Sequence, residues 1–517
     1  MAETDSATPQ KWSEERVEKP SIHEKDVVYE HAKSKHHDPN WTGEGVDTSQ
    51  VDPKKVLRKM DLRLIPMLAI LYLLSFLDRG NIGNAKIEGM ETDLSLSGPE
   101  YSLCATVFAF CLVAIHHGSV GYVFCSVGRQ IIKLTKLGTV MTLMGLVQSY
   151  HGLLIARIFL GVAEAGLYPG VAYYLTMWYC TEELAFRQSL FFSAASVAGA
   201  FSGLLAFAIA KMDGVAGEAG WRWIFILEGI ATVVVAVAAF FLLHDFPDTA
   251  SFLTTEERAW VVHRLKYQGS KKSGRMVAES EHFEWKYVIR ALTDWQIYLS
   301  LFMYWSIVVP LYGISFFLPT IIKELGYTSA TAQLLTVPIY ITAAILAVII
   351  GWASDRATKR GASRWPYIFF PVCAILVGFV IAIAGSAAGD IPGVVYAGVF
   401  IATCGIYPAF PGNVTWIANN LAGSYKRSVG MALQIGLGNL GGAMASNFYR
   451  SVDAPKYLLG HGLEIMFVVF GLVAIIALRI SYGVINKKRE RSGAAEGLTD
   501  EQLADLGDKS PSFRYTL

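Results

Sequence analysis

Asp78-Arg79-Gly80-Asn81-Ile82-Gly83-Asn84 closes a run, residues 64–77, that carries no charge. That run is shorter than the roughly 20 residues a helix needs to cross a bilayer. The helix must therefore continue through residues 80–87, which places an acid and a base inside the membrane. A charge at that depth costs about 2.5–3.5 kcal/mol on insertion scales unless it is paired or wetted. Such charges face an internal cavity and mark a substrate or ion path; the alternative is an interfacial Arg snorkelling to the headgroups. Lys86, Glu88 and Glu91 lie further on and mark the end of the helix, which favours the first reading. The rest of the chain reads as a scaffold that opens this site to one side at a time.

The composition agrees. Of 517 residues, 53% are hydrophobic and 17% charged, and the mean hydropathy is +0.39. That is too apolar for a soluble protein of this length and fits a many-span helical membrane protein. The net charge of +1 implies no nucleic-acid partner. Six scattered Cys without a CxxC motif read as small buried hydrophobes rather than disulfides or metal ligands. No cofactor is implied. Residues 1–53 are polar, show no signal peptide, and read as a disordered cytosolic tail.

Apolar segments lie near 62–84, 102–124, 131–150, 153–178, 188–210, 222–243, 295–319, 331–353, 366–386, 393–417, 428–448 and 463–485. This is an all-α membrane protein with twelve transmembrane helices in two six-helix halves, 54–244 and 294–486. A central loop, 245–293, separates them and a C-terminal tail, 487–517, follows. Thr254 and Glu257 form a capping box for a short helix in the loop carrying Trp260, Val261 and Leu265. The sequence after segment one (92–97) faintly echoes that after segment seven (323–328). Paired halves around a central site are a transporter arrangement. Lys and Arg crowd the loops on the side of the termini, which puts both termini and the central loop in the cytosol. Residues 1–50 and 492–517 are too polar to pack into the bundle, so their removal is expected to spare transport.

Segment four reads RIFLGVAEAGLYPG from Arg157. Glu164 falls near its middle, and Arg157, seven residues earlier, lies on nearly the same face. Ionisable groups at this depth are functional by default, although a structural hydrogen-bonding acid is the other reading. Between segments eight and nine stands GWASDRATKR, 351–360. Asp355 with Arg356 and Arg360 can cap helix ends and pair with another helix as a conformational latch; they also read as a positive-inside anchor. In segment ten, Pro408 and Pro411 can free backbone groups, and Trp416 can stack on a ring or sit in an interfacial belt. In segment eleven, Gln434 and Asn439 can bond a substrate or each other. His116 and His117 point about 100° apart on a helix and cannot chelate one metal.

LSFLDRGNIGNAKIEG, RIFLGVAEAGLYPG, GWRWIFILEG, QLLTVPIY and YRSVDAPKYLLGHG together resemble the major facilitator superfamily. Within it they are most similar to the fungal anion:cation symporters, which include allantoate, nicotinate, pantothenate and biotin permeases. The resemblance covers most of 54–490. It implies proton-coupled uptake of a small organic carboxylate by alternating access, by a monomer in the plasma membrane. It also implies roles: Arg79 binds the substrate carboxylate, and Asp78 and Glu164 carry the proton, with Arg157 alongside. Asn81, Trp416, Gln434 and Asn439 complete the expected substrate contacts. YRSVDAPKYLLGHG looks most like the nicotinate-permease branch. Residues 109–137, AFCLVAIHHGSVGYVFCSVGRQIIKLTKL, depart from the family's second helix, and the match returns abruptly at Gly138. That break points to a mis-spliced gene model or a frame disturbance, which the transcript would settle. Two rivals follow. One is a non-transporting sensor on the same fold, or an inactive product. The other is a membrane enzyme, which would need a cytosol-facing nucleophile cluster that the sequence lacks. The topology is testable: a protease site inserted at 270–280 should be cut only from the cytosolic side, and cleavage from outside intact cells would defeat it.

Overall fold

The computed structural model describes residues 41, 45–101, 103–104, 106–108, 127–165, 167–244, 246–267, 284–324, 326, 329–387, 391–448, 456–492 and 498–517, and all their regular structure is helical. The first half contains α1 (Pro53–Ala85), α2 (Val127–Met144), α3 (Tyr150–Glu164), α4 (Leu167–Thr176), α5 (Leu184–Ala210) and α6 (Gly220–Leu242). Two short helices, α7 (Thr255–Lys266) and α8 (Trp285–Leu292), sit between the halves. The second half contains α9 (Trp295–Glu324), α10 (Ser329–Lys359), α11 (Pro366–Ala387), α12 (Pro392–Asn420), α13 (Ser424–Gly438), α14 (Leu440–Ala445) and α15 (Leu458–Ser492). A last helix, α16 (Asp500–Leu506), follows.

Among the described residues nine helices are long and apolar enough to cross a membrane. The remaining three of the twelve expected segments have physical explanations. Most of segment two, with His116 and His117, lies outside the described residues. Segment three is the helix α2, but Arg129, Lys133 and Lys136 lower its hydropathy. Segment eleven breaks at Asn439 into α13 and α14, within a stretch holding Gly436, Gly438, Gly441 and Gly442. Side chains such as Phe159, Val234, Phe241, Ile349, Phe370 and Val473 point outward and are exposed. An apolar surface of that extent suits lipid, not water.

Local rules account for the ends. Pro53 opens α1, and Asp52 caps it by accepting from the Lys54 amide at 3.0 Å. The Thr254–Glu257 capping box forms as expected at the start of α7. α12 runs through Pro408 and Pro411 without a break. α5 and α10 pack across the interface between the halves, where Ser196 Oγ donates to the Tyr340 carbonyl at 2.6 Å. A Cβ on Gly351 would collide with Ser189 Oγ, so only glycine allows this approach of α10 to α5.

The C-terminal stretch overturns an expectation. Residues 498–517 are not a free polar tail; they dock on the end of the second half. Tyr515 stacks on Tyr482, with ring centroids 4.6 Å apart. Asn486 exchanges two hydrogen bonds with the Tyr515 backbone, at 2.8 and 2.9 Å. Asn420 does the same with Thr516, at 3.1 and 2.7 Å. The Leu517 carbonyl accepts from the Arg364 amide. At the surface, Lys286 donates to Asp505 and holds its carboxyl below the ordinary carboxylate range. The segment packs because its polar groups are matched one for one, which composition cannot reveal. Its centre is Lys426, buried between Asp294 at 2.5 Å and Asp508 at 2.6 Å. Lys426→Met leaves two carboxylates buried without their cation, a loss of about 3–5 kcal/mol. Thermal unfolding of the purified protein should therefore fall by several degrees, and more than for Asp508→Asn, which leaves Lys426 its bond to Asp294.

Candidate substrate site

Helix α1 presents two working faces. Tyr72, Phe76 and Arg79, with Ser75, recur at helical spacing on one side; Asp78 and Asn81 share another. On the first face, Arg79 Nε donates to Glu164 Oε1 at 2.5 Å, and Ser75 Oγ donates to the same oxygen at 2.6 Å. Glu164 is the last residue of α3, where the backbone leaves the helix at Ala165. Arg79 Nη1 donates to Tyr312 Oη on α9 at 2.9 Å, and Tyr312 reaches Asn439 Oδ1 at 3.4 Å. One chain of polar contacts thus crosses from the first half to the second.

Arg79 and Asn439 border a cavity walled by Tyr72, Phe76, Tyr168, Tyr304, Tyr312 and Phe410, with Val308 and Leu311. The rings touch one another: Tyr72–Tyr168, Tyr168–Phe410 and Tyr304–Phe410 centroids lie 5.4, 5.2 and 5.3 Å apart. The free space is about 20 Å³, room for one water. The site is therefore closed in this state, and the halves must part to admit a larger molecule.

On the second face, Asn81 Nδ2 donates to Glu228 Oε2 on α6 at 2.6 Å. Asn81 thus faces away from the cavity, contrary to its expected substrate contact. Asp78 is fully buried, and among the described residues neither of its oxygens has a hydrogen-bond partner. Arg157 is buried too; among the described residues its Nε and Nη2 have no partner, and its guanidinium lies 5.9 Å from the Phe108 ring.

Two further expected contacts are placed elsewhere. Trp416 is sealed in the packing around the C-terminal stretch: its Nε1 donates to the Thr516 carbonyl at 2.8 Å, and its ring meets Tyr482 edge-on. Gln434 donates to Asn413 Oδ1 at 3.0 Å inside the second half. Asp355 reaches across to the other half, but with a different cation from the one expected. Asp355 accepts from the Ala185 and Phe186 amides at the start of α5, at 3.2 and 2.8 Å, a helix N-terminus that favours an anion. Its cation is Arg364, at 3.0 Å, and not Arg356 or Arg360. Arg356 lies over the Trp352 ring, and Arg360 is exposed. The turn through Gly361, at φ 80°, returns the chain so that Arg364 faces back. Arg364 also donates to the Thr181 carbonyl at 3.0 Å, tying both halves to the same side chain.

The sequence reading missed Glu228, although the rule that selected Glu164 applies to any acid inside an apolar segment. It missed Ser75, Tyr312 and the cavity's rings because aromatic residues are common throughout the spans and only packing singles these out.

Bundle, charged interior and inter-half latch define a polytopic membrane transporter. Residues 68–446 match the Major Facilitator Superfamily family model, and the chain belongs to that superfamily. It is 34% identical over 481 residues to the MFS-type transporter cnsO of Penicillium expansum, covering 90% of each chain. It is 32% identical over 480 residues to the high-affinity nicotinic acid transporter of Saccharomyces cerevisiae, covering 89% of this chain and 84% of that one. Its fold is similar to that of the proton:xylose symporter XylE, with a TM-score of 0.59 over 80% of this chain and 94% of that one, at 13% identity.

The latch makes a local prediction. Asp355→Ala removes the acceptor of two α5 amides and leaves Arg364 without its buried partner, a cost of about 3–5 kcal/mol. Hydrogen exchange measured on a peptide covering 180–190 should quicken at least tenfold. Unchanged protection would mean that Asp355 does not hold the halves together.

Proposed function

We propose that this transporter carries a small, ring-bearing organic carboxylate together with protons by alternating access. The observation that carries the reading is Arg79, held by Glu164 and Tyr312 at the edge of an aromatic-walled cavity between the halves. Arg79 is always charged, and in a water-poor interior it needs an anion beside it. Glu164 fills that role in the closed state. When Glu164 takes a proton, Arg79 loses its counter-ion and its planar fork is offered to a substrate carboxylate. The aromatic walls suit a planar ring, and a nicotinic acid transporter among the relatives supports that class; nicotinate is the first compound to test, with the acyclic carboxylates allantoate and pantothenate as ring-less comparisons. The loaded cavity is close to neutral, so the halves can rock and present it to the other side. Loss of the proton lets Glu164 recapture Arg79 and expels the substrate. The Lys/Arg bias of the loops supports cytosolic termini, and a plasma-membrane monomer is the working assignment.

Proteoliposome uptake with and without an inward proton gradient, beside substrate counterflow, tests the scheme. Arg79→Lys should weaken substrate binding about 10- to 100-fold, the value of a lost charge-assisted hydrogen bond. Glu164→Gln should keep counterflow but lose gradient-driven accumulation, and Asp78→Asn should lose part or all of it. Full accumulation by both acid variants would refute the scheme.

A further inference from the structure

The last long helix, α15, shows two different faces at the end where the C-terminal stretch docks. Tyr482, Asn486 and Arg489 recur at helical spacing on one of them. Tyr482 stacks on Tyr515, and Asn486 bonds the Tyr515 backbone. Arg489 donates to the Phe513 and Asp508 carbonyls at 3.0 and 2.7 Å. The opposite face carries Val473, Ile476, Ile480 and Val484, between 45% and 61% exposed. It runs on without a change of phase into Lys487, Lys488 and Arg491, all exposed. At about 100° per residue, all of these lie within about 60° of Val473 around the helix, whereas Arg489 lies about 160° away. Val484, Lys487, Lys488 and Arg491 line an open recess of about 460 Å³. Among the described residues none of the three bases has an ion-pair partner. Glu490, the acid of this turn, lies about 100° off the stripe.

Two plain accounts of these bases exist. Lys and Arg at the end of a span set its orientation, and cations favour a helix C-terminus. Both explain the charge, and neither asks for the bases to share the lipid-facing side: Arg489 meets both conditions from the other face. An apolar stripe inside the span that ends in a cluster of cations has the division of an anionic phospholipid, with acyl chains on the stripe and a phosphate at the bases. Positions 487 and 491, and 488 and 491, are neighbours on the helix surface, so the three bases converge on one headgroup. A second copy of this chain seated on the same face would bring like charges together. A soluble acidic partner would leave the stripe uncovered, because Val473, Ile476 and Ile480 lie within the span.

We propose that the end of α15 is a binding site for an anionic phospholipid, with Lys487, Lys488 and Arg491 on the headgroup phosphate and Ile480 and Val484 against an acyl chain. The site is separate from the cavity between the halves and does not depend on the substrate carried there. It backs directly onto the face that grips the C-terminal stretch, so a lipid held there braces the turn that carries Asn486 and Arg489.

Native mass spectrometry of the purified full chain, titrated with a phosphatidylinositol monophosphate or with phosphatidylcholine, tests the site. Wild type should hold the phosphoinositide about tenfold or more tightly. Each base is worth about fivefold in affinity near an anionic headgroup, so Lys487→Gln/Lys488→Gln/Arg491→Gln should weaken that binding about 100-fold. The three side chains are exposed, and the variant should fold and unfold as wild type does. Lys359→Gln/Arg360→Gln removes two exposed bases at the end of α10, the same end of the bundle, since the Arg364 amide meets Leu517; it should leave binding unchanged. Glycerophosphoinositol phosphate, the same headgroup without acyl chains, should bind at least about tenfold more weakly than the lipid. Equal binding of phosphatidylcholine, wild-type binding by the triple variant, or an equal loss in the α10 variant would overturn the inference. So would a soluble headgroup that binds as tightly as the lipid, which would make this a site for free phosphate compounds.

Discussion

An arginine cannot shed its charge, and where water is scarce it must have an anion within reach. Much of this bundle is arranged around that requirement. Arg79 has Glu164, Arg364 has Asp355, and Lys426 has Asp294 and Asp508. Arg79–Glu164 ties α1 to α3, and Lys426 ties the C-terminal stretch to α9 and α13; Asp355–Arg364 spans the turn between α10 and α11, and both residues reach the first half at Phe186 and Thr181. Arg157 differs: among the described residues it has no hydrogen-bonded carboxylate of its own. The pairs are more useful as selectors of conformation than as sources of stability, since a hydrophobic replacement of a buried pair is often as stable. Neutralising one partner frees the other, and that turns an ion pair into a switch.

The cavity and the latch are joined by helices that run the depth of the bundle. α12 contributes Phe410 to the cavity wall, and Trp416 and Asn420, about 9 and 15 Å further along its axis, grip the C-terminal stretch. That stretch meets Arg364, which also holds Asp355 and the Thr181 carbonyl. α12 therefore carries contacts at both the cavity wall and the C-terminal stretch. Close-packed interiors shift between discrete arrangements and do not deform smoothly, so this linkage suits a two-position device.

The fold was legible because its signals are long and redundant. Apolar runs of about 20 residues, a polar central loop and the charged residues set inside the runs each point to the same architecture, so the short, Gly-rich segment eleven did not obscure it. The site was legible in part. Asp78, Arg79, Glu164 and Arg157 could be picked out because a charge in an apolar run is conspicuous. Their partners could not: nothing local distinguishes Tyr312 from other tyrosines, and Trp416 and Gln434 look like ligand contacts until their bonds to Thr516 and Asn413 are seen. Arg364 replaced Arg356 and Arg360 for the same reason, since which base faces an acid is decided by a turn and not by proximity in the chain. The C-terminal stretch was misread because composition counts polar groups without saying whether they are matched.

Asp78 and Arg79 are neighbours in the chain, and on a helix neighbours point about 100° apart. That single step sends one residue towards α6 and the other towards the cavity. The phase of α1 is accordingly as much a part of the device as its chemistry. Adding or deleting one residue between Ser75 and Asp78 would turn Ser75 about 100° against Arg79 and break their alignment on Glu164, even with every functional side chain still present. This helix can be lengthened at its ends, but between these residues its count is fixed, like the teeth of a gear.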